Sequence, residues 1–237
     1  MKNTARIGAL ALAAAALTGC ATTNNPNDPL EGFNRTMFSF NDTVDTYALK
    51  PVAQAYDTVV PDPVQTGVGN FFGNIGDLWS SINQLLQGRV EQGVSTFMRV
   101  AINTTFGLGG VLDVATEARL PREKSDFGQT LGKWGVGSGP YVVLPFFGPS
   151  TVRDTAGLPV DMYGDLWTYK RPTRWRNVGA VIRIVDRRAQ LLDASTLLED
   201  AALDKYDFVR DAYLQRRQSQ ISGGSSGKER KEDAIKP

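Results

Sequence analysis

Leu30, Phe33, Met37, Phe40, Val44 and Tyr47 recur at alternating steps of three and four, which draws one continuous apolar stripe along a helix. Asp28-Pro29-Leu30-Glu31 opens it with start signals: an aspartate cap, a proline in the first turn and a glutamate at the third position. Lys50-Pro51 is expected to end or kink it, because the residue before proline avoids the helical region. Val52, Ala55, Tyr56 and Val59 carry the period on to Pro61. Asp62-Pro63 repeats the opening, and Val64, Val68, Phe71, Phe72, Ile75, Leu78, Trp79, Ile82, Leu85 and Leu86 mark a long second helix. Asp77 is its single charge between Pro63 and Gly88. Glycines 67, 69, 73 and 76 each cost ~1 kcal/mol relative to alanine. This helix therefore either packs tightly against another backbone or lies in lipid. A third helix runs from about Arg89 to Phe106, with Val90, Val94, Phe97, Met98 and Ile102 on one side, and Gly107, Gly109 and Gly110 stop it.

The stretch 121–176 differs in kind. Asp126 to Gly132 reads as a short helix, and from Gly135 to Val152 there are eighteen residues without a charge. A spanning helix is excluded there, because Pro140, Pro145 and Pro149 would each break the ladder. A nucleotide loop is excluded as well, since Gly135, Gly137 and Gly139 lead into Pro140 and an extended segment rather than a helix. What remains is a glycine hinge or hairpin followed by the apolar strip Tyr141–Phe147, which is either a buried loop or a gate that dips into lipid. Ser150 is expected to cap the next helical piece, with Arg153 and Asp154 in its first turn. Trp167, Tyr169, Lys170, Arg171, Arg174, Trp175 and Arg176 then have the composition of a membrane–water interface. Solvated loop arginines are the plainer alternative.

Val178, Val181, Ile182, Val185 and Leu192 give an amphipathic helix from Asn177 onward, and a last helix is expected from Ser195 to about Ser219. Its charges are of both signs, as on a solvated face. The Gly223–Gly227 run and the charged end to Pro237 read as a disordered tail over 221–237. The whole is an all-α chain of six or seven helices, with strand confined to Tyr141–Phe147.

At the other end, Lys2 and Arg6 precede the apolar run Ile7–Leu17, and small residues lead to Gly19 and Cys20. This is the plan of a secretory signal over residues 1–19, too short for a bilayer span of ~20 apolar residues. Leu17-Thr18-Gly19-Cys20 resembles the lipobox of bacterial lipoproteins, with cleavage after Gly19 and acylation of Cys20, the single cysteine. In such lipoproteins an aspartate after the cysteine favours inner-membrane retention. Ala21 here favours the outer membrane, with the polypeptide on the periplasmic side. Residues 20–27 form an acylated N-terminus and a tether of about 20 Å at full extension. Without the signal, basic and acidic side chains balance, which argues against a nucleic-acid partner. Histidine is absent, so the usual general base and the commonest metal ligand are missing. No cofactor, metal or catalytic residue is expected.

Several segments together resemble the MlaA (VacJ) lipoprotein family: Asp28 to Phe38, Lys50 to Ala53, Asn103 to Gly110, Asp113 to Ala115, Gly128 to Gly132, Gly135 to Tyr141, Leu144-Pro145, Arg153-Asp154 and Arg188 to Asp193. They span a domain of residues 28–220. The resemblance implies a ring-shaped helical bundle seated in one leaflet of the outer membrane around an amphipathic channel. It further implies that mislocalised phospholipid leaves the outer leaflet through that channel for a periplasmic carrier of an ABC transport system, and that trimeric porins are partners. Under it, Gly135, Gly137, Gly139 and Pro140 form the hinge of a gate. Tyr141, Leu144, Phe146, Phe147, Arg153 and Asp154 are candidates for the lipid path. Trp167, Lys170, Arg171, Arg174 and Trp175 are candidates for the interface. A scaffold that moves no lipid is the alternative from another class. A hydrolase built on carboxylates such as Glu31, Asp42, Asp154 and Asp161 is disfavoured, because these acids sit at caps and on polar faces.

Overall fold

The computed structural model describes residues 28–222. The signal segment, Gly19, Cys20, the tether and residues 223–237 lie outside the described residues. Helix α1 (Glu31–Val44) passes through a π-helical turn (Asp45–Leu49) into α2 (Lys50–Val59). Pro51 thus does not end the helical path. The Lys50 amide reaches back five residues to the Asp45 carbonyl, and the widened turn leaves room for the proline ring. Helix α3 (Asp62–Leu86) turns back through Gly88 into α4 (Val90–Thr105), and the two form a hairpin. Short helices α5 (Val114–Glu117) and α6 (Phe127–Lys133) follow, each capped by an aspartate, Asp113 and Asp126.

Strands β1 (Tyr141–Leu144) and β2 (Gly148–Thr151) pair antiparallel, Tyr141 opposite Thr151 and Leu144 opposite Gly148. The apolar strip is therefore one arm of a hairpin with Phe146 and Phe147 exposed at its tip. Helix α7 (Val152–Gly164) is capped by Thr151, whose hydroxyl accepts the Asp154 amide at 3.2 Å. The expected cap, Ser150, instead bonds the Thr155 hydroxyl at 2.9 Å. A 3-10 turn (Leu166–Tyr169) leads to α8 (Thr173–Ala189), which starts before Asn177 and takes Arg174, Trp175 and Arg176 into its first turn. The expected single last helix is two, α9 (Leu192–Ala201) and α10 (Lys205–Ser222). Asp204 makes the second start, its carboxylate accepting the Tyr206 and Asp207 amides at 2.9 and 3.2 Å.

Burial runs opposite to the usual order. The fully covered side chains are mostly polar: Asn34, Asp77, Asn83, Gln84, Thr96, Arg99 and Asn103. Along α3 and its neighbour they fall at helical spacing, Asn74, Asp77, Ser81 and Gln84 facing Thr96, Arg99 and Asn103, so the α3–α4 seam is hydrogen-bonded rather than greasy. Ser81 donates to the Gly93 carbonyl at 2.8 Å and Asn74 to the Thr104 hydroxyl at 3.0 Å. Arg99 forks onto Asp113, both bonds at 2.8 Å, and Asn103 bonds the same carboxylate at 3.0 Å. Burying a charge without such partners would cost several kcal/mol, so the Arg99–Asp113 pairing is what lets this seam hold a guanidinium, while Asn74 Oδ1, Gln84 Oε1 and Arg99 Nε are left without a hydrogen-bond partner. The apolar stripe read from the sequence faces out instead: Leu85, Leu86, Val90, Val94, Phe97 and Met98 are exposed. A small apolar core remains under the hairpin, where Tyr141 and Val143 pack with Tyr206, Met37 and Phe38.

Candidate functional site: a half-open cavity between the helices

The helices, the hairpin and the segment before α6 line a half-open cavity of about 1150 Å³, larger than the ~300–1,000 Å³ of ordinary small-molecule pockets. Helix α3 supplies one wall through Gly69, Gly73 and Gly76. These glycines seat polar side chains and do not pack helix on helix. A Cβ at Gly73 would come within 2.7 Å of the Arg122 guanidinium, and one at Gly69 within 2.6 Å of the Gln190 amide. The hairpin contributes Leu144 and Phe147, and α7 contributes Asp154, Leu158, Asp161 and Met162.

Arg217 of α10 crosses one side and binds two carboxylates at once. It reaches Asp154 at 2.9 Å and Asp126 at 2.6 and 2.9 Å. Tyr213 adds a bond to Asp154 at 2.7 Å. Burial pushes the Asp154 pKa up, but the Arg217 and Tyr213 bonds outweigh it and the net shift is downward, so Asp154 stays ionised. One turn pair further along α7, Asp161 accepts the Trp79 indole at 2.7 Å and the Phe127 amide at 2.8 Å. Burial dominates there and raises its pKa. Glu31 pairs with Arg35, and Asp42 with Lys205 at the surface. Of the four carboxylates considered for hydrolysis, Asp154 and Asp161 line the cavity two turns apart on α7, while Glu31 and Asp42 lie apart from it. Among the described residues no group of histidine, cysteine and carboxylate side chains could hold a metal ion.

The sequence-derived candidates divide. Leu144, Phe147 and Asp154 line the cavity. Tyr141 does not; it is buried in the hairpin core beside a second, smaller pocket. Phe146 points outward and meets Phe40 edge-on at 5.3 Å. Arg153 is buried and braces the loop behind it, its amide donating to the Ser138 carbonyl at 3.1 Å. The Gly135–Pro140 segment is exposed, with positive φ at Gly135 and Gly139. Trp167 differs from the other interface candidates in being half-buried: its ring packs edge-on against Phe72 at 5.1 Å and its indole donates to the Arg176 carbonyl at 2.9 Å. Lys170, Arg171, Arg174 and Trp175 are exposed.

Two asparagines escaped the sequence reading. Asn34 donates to the Tyr141 carbonyl at 3.0 Å and accepts the Val143 amide at 2.8 Å, acting as a third strand's backbone. Asn41, two turns on, does the same for the Leu144 carbonyl and the Phe146 amide at 2.9 and 2.7 Å. Their seven-residue spacing on α1 was the available signal. Together they fix the hairpin, and with it Leu144 and Phe147, to the cavity wall.

A helical body with polar seams, apolar side chains on its outer faces and a wide cavity lined by both polar and apolar groups has the makings of a protein of the membrane boundary. Among the described residues no helix is long and apolar enough to cross a membrane. The family model for the MlaA lipoprotein matches residues 26–220. The chain is similar to the intermembrane phospholipid transport system lipoprotein MlaA of Escherichia coli strain K12, 42% identical over 229 residues, covering 92% of this chain and 90% of that one. It is similar to the protein of the same name in Haemophilus influenzae, at 38% over 226 residues, 90% and 89% covered. A solved structure described as the structural basis for maintenance of bacterial outer membrane lipid asymmetry superposes with a TM-score of 0.71 at 43% identity, over 82% of this chain and 98% of that one. The chain belongs to the MlaA lipoprotein family.

Proposed function

We propose that this protein moves phospholipid at the outer membrane, taking molecules misplaced in the outer leaflet through its central cavity toward a periplasmic carrier and so keeping the two leaflets different. The observation that carries the reading is the inverted burial. A body with apolar side chains on its outer faces, polar seams between its helices and a cavity lined by both kinds of group is at rest where acyl chains surround it and an amphipathic lipid passes within it. The names of the similar proteins, with intermembrane phospholipid transport in two and lipid asymmetry in the structure, support the same reading. In this reading the body sits in the periplasmic leaflet, secured by acylated Cys20, with the exposed apolar side chains of α3 and α4 as its lipid contacts. Lys170, Arg171, Arg174 and Trp175 lie at headgroup depth. Gly135, Gly137, Gly139 and Pro140 form a hinge beside the hairpin, and a trimeric porin and a carrier feeding an ABC transporter complete the route.

The test is to fill the cavity without touching the outer face. Gly76 has space beside it: a Cβ there would meet only the Arg183 guanidinium, at 3.9 Å. In cells lacking the native protein, Gly76→Trp should fold and retain its envelope partners yet leave phospholipid on the cell surface. Full restoration of lipid asymmetry by that variant would favour a scaffold that moves nothing.

A further inference from the structure

Four cations line one part of the cavity: Arg122 and Lys124 on the segment before α6, and Arg183 and Arg187 one turn apart on α8. Two of them are already engaged. Arg122 donates to Asp77 at 2.9 Å while its guanidinium rests over Gly73. Arg183 pairs with Asp165 at 2.5 Å. Lys124 and Arg187 have no carboxylate within ion-pair distance among the described residues. The carboxylate next in sequence, Asp186, is occupied by the Tyr56 hydroxyl at 3.1 Å and the Gln190 amide at 2.9 Å. Burial lowers the Lys124 ammonium pKa, and Arg187, Arg122 and Arg183 push it the same way, with Asp77 opposing. The four cations thus face the three carboxylates Asp77, Asp165 and Asp186, which leaves a small positive excess in this part of the cavity although charges over the whole lining roughly balance, and screening there is weaker than in bulk water.

We propose that Lys124 and Arg187, flanked by Arg122 and Arg183, form a phosphodiester subsite that receives the headgroup phosphate of a lipid inside the cavity. This rests on the phospholipid reading above and adds to it the residues that distinguish the ligand. A phosphodiester carries one negative charge over two free oxygens, which suits one ammonium and one guanidinium acting together. Leu144 and Phe147 on the hairpin and Leu158 and Met162 on α7 give the same cavity an apolar side for the chains. A soluble phosphate shares the anion chemistry but has nothing to place there.

The experiment uses the full acylated chain in a sugar-headgroup detergent. It is incubated with photoactivatable phosphatidylglycerol or with photoactivatable diacylglycerol of the same chains, irradiated, and the crosslinks to cavity residues are counted by mass spectrometry. The wild type should favour phosphatidylglycerol. K124Q/R187Q should lose about tenfold of that labelling while diacylglycerol labelling stays constant, and K124R/R187K should retain most of it. Circular dichroism checks that each variant is folded. Unchanged phosphatidylglycerol labelling in K124Q/R187Q overturns the subsite and leaves the transport reading standing. A parallel fall for both lipids also overturns it, since the cations would then act on structure. Inorganic phosphate that binds the wild type at Lys124 and Arg187 without displacing labelled lipid would assign them to a free anion and overturn the lipid subsite. If the wild type labels with neither lipid, the transport reading itself fails, and the subsite with it.

Discussion

Asn34→Ala should loosen the hairpin more than any single change at its surface. The side chain is fully buried and makes three bonds: to the Tyr141 carbonyl, from the Val143 amide and to Asp28 at 2.9 Å. Truncation leaves two buried backbone groups of the strand without those partners and takes one donor from Asp28. At ~1–3 kcal/mol for each orphaned group, the loss is about 3–6 kcal/mol. For a body of this size, at ~2–4 °C per kcal/mol, the melting temperature should fall by about 6–24 °C. The assay is a far-ultraviolet circular dichroism melt in detergent, with Asn41→Ala run alongside. Asn41 is only half-buried, so its truncation should cost about 1–2 kcal/mol. Asn34→Asp retains an acceptor for Val143 but places a second carboxylate beside Asp28. Its carboxyl pKa should be raised, so its melting temperature should climb as pH falls from neutral, which the alanine variant's should not. An Asn34→Ala protein that melts within about 2 °C of the parent would refute the clamp.

Gly164→Ala should be poorly tolerated, because a Cβ there would sit 2.3 Å from the Trp79 ring, which is itself held by Asp161. A loss of about 1–3 kcal/mol, with a shift in tryptophan fluorescence, is the expected outcome. Acid should weaken the α4–α5 junction late. Burial raises the Asp113 pKa, but bonds from Thr116, Asn103 and Arg99 bring it down to about 2. Its stabilisation is therefore complete above the ordinary value of 3.8 and is lost as pH falls from there to about 2, as hydrogen exchange at Ala115 would report. Finally, V94D/F97D in a Cys20→Ser background should barely change the melt, because both residues are exposed, but should greatly reduce flotation with phospholipid vesicles. A Cys20→Ser parent that does not float at all would count against the apolar outer face as a lipid contact.

Most helices could be read from the sequence because apolar period is a statement about a helix's two faces. Which face is covered could not be read, since the same stripe in Val90, Val94 and Phe97 fits a core or a lipid contact. The polar seam was written in the same code, Asn74, Asp77, Ser81 and Gln84 at steps of three and four. It goes unnoticed when only apolar residues are tracked. The break between α9 and α10 was missed for a local reason: Asp204 restarts the helix through its own carboxylate, a signal that the mixed charges around it conceal. For Trp167, aromatic and basic composition does not tell whether a ring packs inward on Phe71 and Phe72 or reaches outward. Leu144, Phe147 and Asp154 lie close enough in sequence to be grouped by inspection, whereas Asn34, Lys124 and Arg187 needed three dimensions, since their partners lie far off along the chain.

The hydrogen-bonded seam between α3 and α4 has a calorimetric consequence. The heat capacity of unfolding grows with newly wetted apolar surface and shrinks with newly wetted polar surface. Here much of the apolar surface already lies outside, and what opens on unfolding is rich in amides, hydroxyls and charges. The heat-capacity increment should accordingly be small for the chain's length and the stability curve broad and flat. Such a body holds its shape over a wide range of temperatures because little of its cohesion depends on water's aversion to oil.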